Sequence, residues 1–162
     1  MSKLSLFIYI VSVLVTIGIF YLINFLTETV TVGESNNMGN GNPGLFPLIY
    51  LTPFLIISII GTFKLIYVFV ERRIRTIQPL LIMLFSLIGS IIIYFLTYRE
   101  ARQMRTLFFN NNDSVTRINE IPLLNSYSNN IFFNGWTLLA LLFTVTFIAC
   151  LIALIRQKDK SF

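Results

Sequence analysis

Few side chains in this chain of 162 residues could do chemistry, and their spacing argues against catalysis. Histidine is absent and Cys150 is the only cysteine, which excludes an intrachain disulfide, a Cys-x-x-Cys redox pair and a zinc site of cysteine and histidine. The seven acidic residues include no close pair suited to general acid–base catalysis. The sequence therefore predicts a protein that is not an enzyme, with no catalytic, metal-binding or cofactor-binding residue and no cofactor.

Lys64 is the most informative single residue, because it lies inside an apolar run. A charge at the centre of a membrane costs about 2.5–3.5 kcal/mol on insertion scales, so such residues are functional candidates. Lys64 precedes the end of the run at Val70 by less than two helical turns, however, and its amine can snorkel to the interface. Glu71 falls close to the same helix face. The open alternatives are a snorkelling lysine, a site for an anionic ligand or lipid headgroup, and a partner contact.

Two arginine clusters flank the third apolar run. Arg72, Arg73 and Arg75 precede it, and they indicate either attraction to anionic lipid or docking of an acidic partner. A second cluster, Arg99, Arg102 and Arg105, follows the run. If the helix continues, their i, i+3, i+6 spacing places the three arginines in one stripe that turns slowly around the helix. That stripe predicts binding of lipid phosphates, or recognition of an anionic envelope component or extracytoplasmic protein.

Two short motifs in the sequence give only weak evidence of a function. The stretch Gly39–Gly44 matches G-x-G-x-x-G by letter, but it lacks the preceding strand and following helix that a dinucleotide site needs, and we expect a flexible loop. The sequence Asn112-Asp113-Ser114 is an N-glycosylation sequon, and three-residue matches of this kind arise by chance.

Composition decides the class of protein. The chain is 56% hydrophobic and 12% charged, with a mean hydropathy of +0.79, whereas soluble domains are about a quarter charged. Apolar runs of about 20 residues are long enough to span a bilayer, and they predict four helices at 4–26, 47–70, 79–97 and 135–155. Pro47 and Pro79 suit first turns, and Asn134 suits the cap of the fourth helix. We expect an all-α membrane protein: a single four-transmembrane-helix bundle over 1–162.

The distribution of Lys and Arg predicts that both termini lie in the cytoplasm. This orientation gives outer loops at 27–46 and 98–134, an inner loop at 71–78 and an inner tail at 156–162. The inner side then holds Lys3, Arg72, Arg73, Arg75, Arg156, Lys158 and Lys160, against Arg99, Arg102, Arg105 and Arg117 outside. We expect the outer segment between the third and fourth helices to be partly ordered.

Small and hydroxyl-bearing residues predict how the helices pack, because they permit close approach in lipid. They group by helical projection on the second, third and fourth helices as Ser58, Gly61 and Thr62; Ser86, Gly89 and Ser90; and Thr146, Ala149, Cys150 and Ala153. The fourth helix carries a second small face formed by Thr137, Ala140 and Thr144. We expect this second face to be available to an external partner.

The short second connection and the larger segment before the fourth helix resemble the layout of tetraspanins. The loop cysteines that define tetraspanins are absent, so the resemblance implies layout alone. We expect an accessory, regulatory or interaction subunit, including an immunity-type protein, that acts through the outer segment and helix faces. The alternative is a small oligomeric transporter or channel with Lys64 near an anionic ligand or lipid.

The predicted location is the cell membrane, and the Ile/Asn-rich, Cys-poor composition favours a bacterial cytoplasmic membrane. The predicted partners are the bilayer, its anionic headgroups, and another membrane or extracytoplasmic protein. Nucleic acid is not expected despite a net charge of +5, because the basic residues sit at helix ends.

Overall fold

A computed structural model describes residues 2–30, 41–73, 77–112 and 115–159 of the chain. Within these ranges the chain is helical and contains no strand. The elements are α1 (Lys3–Phe25), a 3₁₀ turn (Pro43–Leu45), α2 (Phe46–Arg73), α3 (Gln78–Asn110), a second 3₁₀ turn (Ile118–Glu120), α4 (Asn129–Phe132) and α5 (Gly135–Asp159). The helices α1, α2, α3 and α5 are long and apolar enough to cross a membrane, which confirms the prediction of an all-α chain with four such helices.

Polar side chains cap the starts of α1 and α5. The Ser2 hydroxyl accepts the Ser5 backbone N–H at 3.1 Å. The Asn134 side-chain oxygen accepts the N–H groups of Trp136 and Thr137 at 2.9 and 3.1 Å. Such bonds satisfy N–H groups that have no partner within the helix, and the cap predicted at Asn134 is confirmed.

The helix α3 is much longer than the apolar stretch that predicts it. It has 33 residues, which corresponds to about 50 Å, whereas the apolar stretch ends at Thr97. The helix continues because Tyr98–Asn110 contains neither glycine nor proline and is rich in good helix formers such as arginine, glutamine, methionine and leucine. The first part of the predicted 98–134 loop is therefore helix, and it carries the second arginine cluster.

The long helices pack in the order α1, α2, α5, α3, and α5 lies between α2 and α3. The short α4 contacts both α1 and α3, and we refer to this end of the bundle as the α4 end. A buried cluster around Ile19 and Ile23 packs there against Leu138 and Phe133. The opposite end is held by a second cluster, which comprises Val70, Cys150 and Ala153.

Glycines allow two of the helix contacts to be close. A Cβ placed on Gly61 of α2 would overlap the ring of Tyr9 from α1. A Cβ on Gly89 of α3 would lie 2.6 Å from a ring carbon of Phe143 from α5. An aromatic ring therefore packs directly on the glycine backbone in both interfaces, as small residues permit between helices in lipid.

The second small face of α5 is not free, contrary to the prediction. Ala140 is fully buried and Thr137 is 8% exposed, and the Thr144 hydroxyl lies 3.2 Å from the Tyr94 hydroxyl of α3. Both faces of α5 are used because this helix sits between α2 and α3. A partner-binding role therefore needs a different surface.

Candidate functional site

The part of α3 beyond the apolar stretch supports a folded segment, residues 115–133. Arg105 holds this segment through two bonds of 2.8 Å: its Nε donates to the Ile118 carbonyl and its Nη2 donates to the Asn119 side-chain oxygen. Hydrogen bonds from a charged donor are among the stronger ones in proteins. Arg105 is therefore a structural residue of this segment.

The 115–133 segment has a small apolar core against α3. Phe108 is fully buried, and Ile121 and Tyr127 are 1% and 6% exposed. The rings of Phe108 and Tyr127 lie 4.8 Å apart between centroids, and Val30 packs on the same cluster. Burial of this kind supplies the free energy that holds a connecting segment in one conformation.

Hydrogen bonds within the segment complete its fold. The Ser128 hydroxyl donates to the Leu123 carbonyl at 2.7 Å and accepts the Asn125 backbone N–H at 2.9 Å. The Glu28 backbone N–H, just after α1, donates to the Ser126 carbonyl at 2.9 Å. The segment is thereby attached to the chain that follows α1 as well as to α3.

Tyr127 and Glu28 interact at this junction. Burial of the Tyr127 phenol raises its pKa above the ordinary value of 10.0, and the negative charge of Glu28 and a hydrogen bond to it raise the pKa further. The fold therefore favours the neutral, protonated phenol.

The predicted arginine stripe is divided by the structure. Arg105 is half-buried and bonded to the 115–133 segment, whereas Arg99 and Arg102 are exposed. The guanidinium carbon of Arg102 lies 5.8 Å from the ring centroid of Tyr98. Within the part of the chain that the structure describes, Arg99 and Arg102 form no ion pair. These two cations are therefore accessible to an external anion.

Two grooves flank these exposed arginines. One runs along α3 alone between two ridges of residues spaced four apart, has a volume of about 590 Å³, and includes Tyr98, Arg102, Thr106 and Asn110. The other lies between α3 and the start of α5, has a volume of about 530 Å³, and includes Leu96, Glu100, Gln103 and Trp136. Arg99 lines both grooves.

Lys64 lies apart from these grooves. It is exposed on α2 and lines neither of the cavities found among the described residues between the helices. One turn away, Tyr67 accepts a hydrogen bond of 3.2 Å from Arg156 of α5 and stacks on Phe63. The structure brings Lys64 near a basic and aromatic cluster, but not near the arginines of α3.

An interior cavity of about 280 Å³ lies between α1, α2 and α5. Its polar groups are paired with one another: Tyr9 with Thr62 at 3.0 Å, and Thr16 with Ser58 at 3.0 Å. No buried polar side-chain atom in the described ranges is left without a hydrogen-bond partner. The remaining lining is mostly apolar.

The predicted packing residues of α2, α3 and α5 have different surroundings in the structure. Most are buried, two are glycines under aromatic rings, Thr62 bonds to Tyr9 of α1, and Thr146 is half-buried and bonds to Leu142 of its own helix. The buried ones are Ser58, Ser86, Ser90, Ala149, Cys150 and Ala153.

Several predictions fall outside the described residues. Arg75, Gly39 and Asn40 lie there, as do Asp113 and Ser114 of the sequon. Of Arg72 and Arg73 only the helical backbone is described. No group of three histidine, cysteine, aspartate or glutamate residues in the described ranges could hold a metal ion.

The sequence-based prediction did not include Gln103, Tyr127 or Trp136 among the site residues. Trp136 carried a usable signal, because a tryptophan at the start of an apolar run is typical of the membrane interface. The others became visible only through contacts between distant parts of the chain. No family model, curated protein or solved structure matches the chain.

Proposed function

We propose that this chain is a non-catalytic accessory or regulatory subunit that binds another membrane or extracytoplasmic protein. The proposal includes an immunity-type role. The observation that supports it is the packing of the 115–133 segment on the extended α3. Helix–helix connections commonly need about 2–8 residues, and this one instead builds a separate core around Phe108 and Tyr127. A connecting segment of that size that packs on a helix is typical of a functional loop on a rigid scaffold.

The contact surface in this proposal is the ridge of α3 that faces away from its packing side. Tyr98, Arg102, Thr106 and Asn110 follow one another at four-residue spacing along the groove. Grooves between such ridges are where a second helix packs. The exposed Arg102 gives the surface a positive charge, so the expected partner presents an acidic helix or acidic surface.

We further propose that both termini are cytoplasmic, which places the 115–133 segment outside the cell membrane. The balance of basic residues supports this orientation. The composition supports a bacterial cytoplasmic membrane as the location. The four membrane-spanning helices alone define neither the orientation nor the kind of membrane, so both statements belong to the proposal.

Photocrosslinking tests the partner proposal on the full chain in its native membrane. A photoreactive amino acid at the exposed Thr106 should crosslink one specific protein, whereas the same amino acid at the exposed Phe85, far from the 115–133 segment, should not. The charge reversal Arg102→Glu should reduce the crosslink, and Lys3→Glu is the matched control on an exposed basic residue at the start of α1. Mass spectrometry after purification in mild detergents identifies the product. Recovery of this chain alone in several detergents would sink the proposal.

A small oligomeric transporter or channel is the second candidate, and the observation that favours it is the cavity between α1, α2 and α5, which has four hydroxyl-bearing residues in a mostly apolar lining. The hydroxyls of Tyr9, Thr16, Ser58 and Thr62 are occupied by one another, and Lys64 does not line this cavity. Anion flux into liposomes that contain the purified protein tests this candidate. Flux that is lost in Lys64→Gln but kept in Lys3→Gln would support it over the subunit proposal.

A further inference from the structure

The groove between α3 and the start of α5 has an apolar half and a polar half. Its apolar half is formed by Ile92, Ile93 and Leu96. Thr97 lies between the halves, and the polar half is formed by Arg99, Glu100, Gln103, Asn134 and Trp136. All three apolar residues precede Arg99 on α3, so the two halves are stacked along the helix axis. An amphiphilic ligand needs a site divided in this way, with an apolar part for its chain and a polar part for its headgroup.

The depth of Arg99 matches the headgroup layer of a membrane. The apolar stretch from Pro79 to Thr97 is about 28 Å long as a helix, close to the thickness of about 30 Å of the hydrocarbon core. Arg99 then lies about 3 Å beyond that core, within a headgroup layer of roughly 5–8 Å. Leu96 lies at the level of the acyl chains.

Trp136 supports the same depth from the neighbouring helix. It is the second residue of α5 and is 70% exposed beside the groove. Tryptophan concentrates at the boundary between hydrocarbon and headgroups, because its ring is apolar and its N–H can donate to a polar group. Two helices therefore place interfacial side chains at one level.

The Arg99 guanidinium is available for a ligand. Across the described ranges it makes no hydrogen bond or ion pair with the protein, in contrast to Arg105, whose donors are bound to Ile118 and Asn119. A guanidinium presents paired N–H donors that match two oxygens of a phosphate. Glu100 lines the same groove, and its carboxylate suits the ammonium group of a zwitterionic headgroup.

We propose that this groove binds one membrane phospholipid with a zwitterionic amine headgroup. Arg99 holds the phosphate, Glu100 attracts the ammonium group, and an acyl chain lies along Ile92, Ile93 and Leu96. The site goes beyond the proposed partner binding and does not depend on it. Arg102, which carries the partner proposal, does not line this groove.

Native mass spectrometry of the full chain, titrated in detergent with phosphatidylethanolamine, tests the site. We expect one tightly retained lipid, and little retention of a diacylglycerol with the same chains. Glycerophosphoethanolamine, which has the headgroup without the chains, should not compete. Equal retention of diacylglycerol, or competition by the headgroup alone, would overturn the proposal.

Matched variants locate the site. Arg99→Gln should weaken retention about tenfold or more, because it removes a charged hydrogen-bond donor, and Arg117→Gln should leave retention unchanged. Leu96→Trp fills the apolar half and should also displace the lipid, whereas Phe95→Trp adds the same ring at an exposed position outside this groove. If Arg99→Lys retains more lipid than Arg99→Gln, the weaker retention in Arg99→Gln is due to the lost charge and not to misfolding.

A separate variant tests the assignment of the headgroup. Glu100→Gln should shift the preference from phosphatidylethanolamine towards the anionic phosphatidylglycerol, because it removes the repulsion between a carboxylate and an anionic headgroup. An unchanged preference would refute the role of Glu100. If neither Arg99→Gln nor Leu96→Trp changes retention, the groove is not the lipid site, and this result leaves the crosslink at Thr106 unaffected.

Discussion

The side-chain amides of Asn42 and Asn129 exchange two hydrogen bonds, each 2.7 Å long, across 87 positions of sequence. Asn129 is completely buried. Gly44 lies against the same amide, and a Cβ at that position would come 2.5 Å from the Asn129 nitrogen. The pair therefore ties the residues that precede α2 to the first residue of α4.

Asn129→Ala should destabilise the protein by about 1–3 kcal/mol, because it removes both bonds and leaves the amide of Asn42 without its partner. Thermal unfolding in detergent, compared with wild type, measures the effect. Asn130→Ala is the matched control, since Asn130 is the next residue and is exposed. Equal unfolding temperatures for the two variants would show that the amide pair contributes little.

Gly61→Ala and Gly89→Ala should each destabilise the bundle by about 1–3 kcal/mol, because the added methyl group overlaps the ring of Tyr9 or Phe143. Gly18→Ala should be neutral or slightly stabilising, since no heavy atom lies within 4 Å of a Cβ there and alanine favours helix. Unfolding of the three variants in one detergent tests this. A ranking in which Gly18→Ala is the most damaging contradicts these helix contacts.

Arg105→Gln should loosen the 115–133 segment at a cost of about 1.5–3 kcal/mol, the usual contribution of hydrogen bonds to a charged group. The backbone N–H groups of Glu120 and Ile121, which bond within the 3₁₀ turn, should exchange with solvent faster. Hydrogen–deuterium exchange with mass spectrometry measures this. Arg102→Gln should leave that exchange unchanged; if both variants accelerate it equally, Arg105 has no special structural role.

The raised pKa of Tyr127 makes stability depend on pH at high pH. Because the folded-state pKa lies above the unfolded value of 10.0, the stabilisation is complete below about pH 10 and is lost as pH rises through the folded-state value. Wild type should therefore lose more stability than Tyr127→Phe as the pH rises above about 10. Tyr50→Phe, at a tyrosine that is 75% exposed, should behave like wild type. Parallel losses in all three proteins would contradict the raised pKa of Tyr127 and so its burial beside Glu28.

The proposed orientation predicts that Arg117→Cys is labelled from outside intact cells by a membrane-impermeant maleimide. Arg117 is exposed. The native Cys150 is completely buried, so the parent protein should give little background. Labelling of position 117 only after permeabilisation would reverse the orientation.

The sequence by itself determined the four spanning helices and the cap at Asn134. Hydropathy, length and capping are properties of a few consecutive residues, so they can be evaluated without knowledge of the fold. The helix-facing positions of Gly61 and Gly89 could also be predicted, because a projection at about 100° per residue defines helix faces. The extension of α3 to Asn110 could have been predicted from helix propensity. It was missed because the apolar stretch that predicts the helix ends at Thr97.

The tertiary structure alone decided how equivalent residues differ in role. Arg99, Arg102 and Arg105 share one residue type and spacing, yet only Arg105 meets the Ile118 carbonyl. The two faces of α5 look alike in composition, and the placement of this helix between α2 and α3 buries most residues of both. Such outcomes depend on which residues, distant in sequence, come into contact when the chain closes its loops, and no local pattern contains that information.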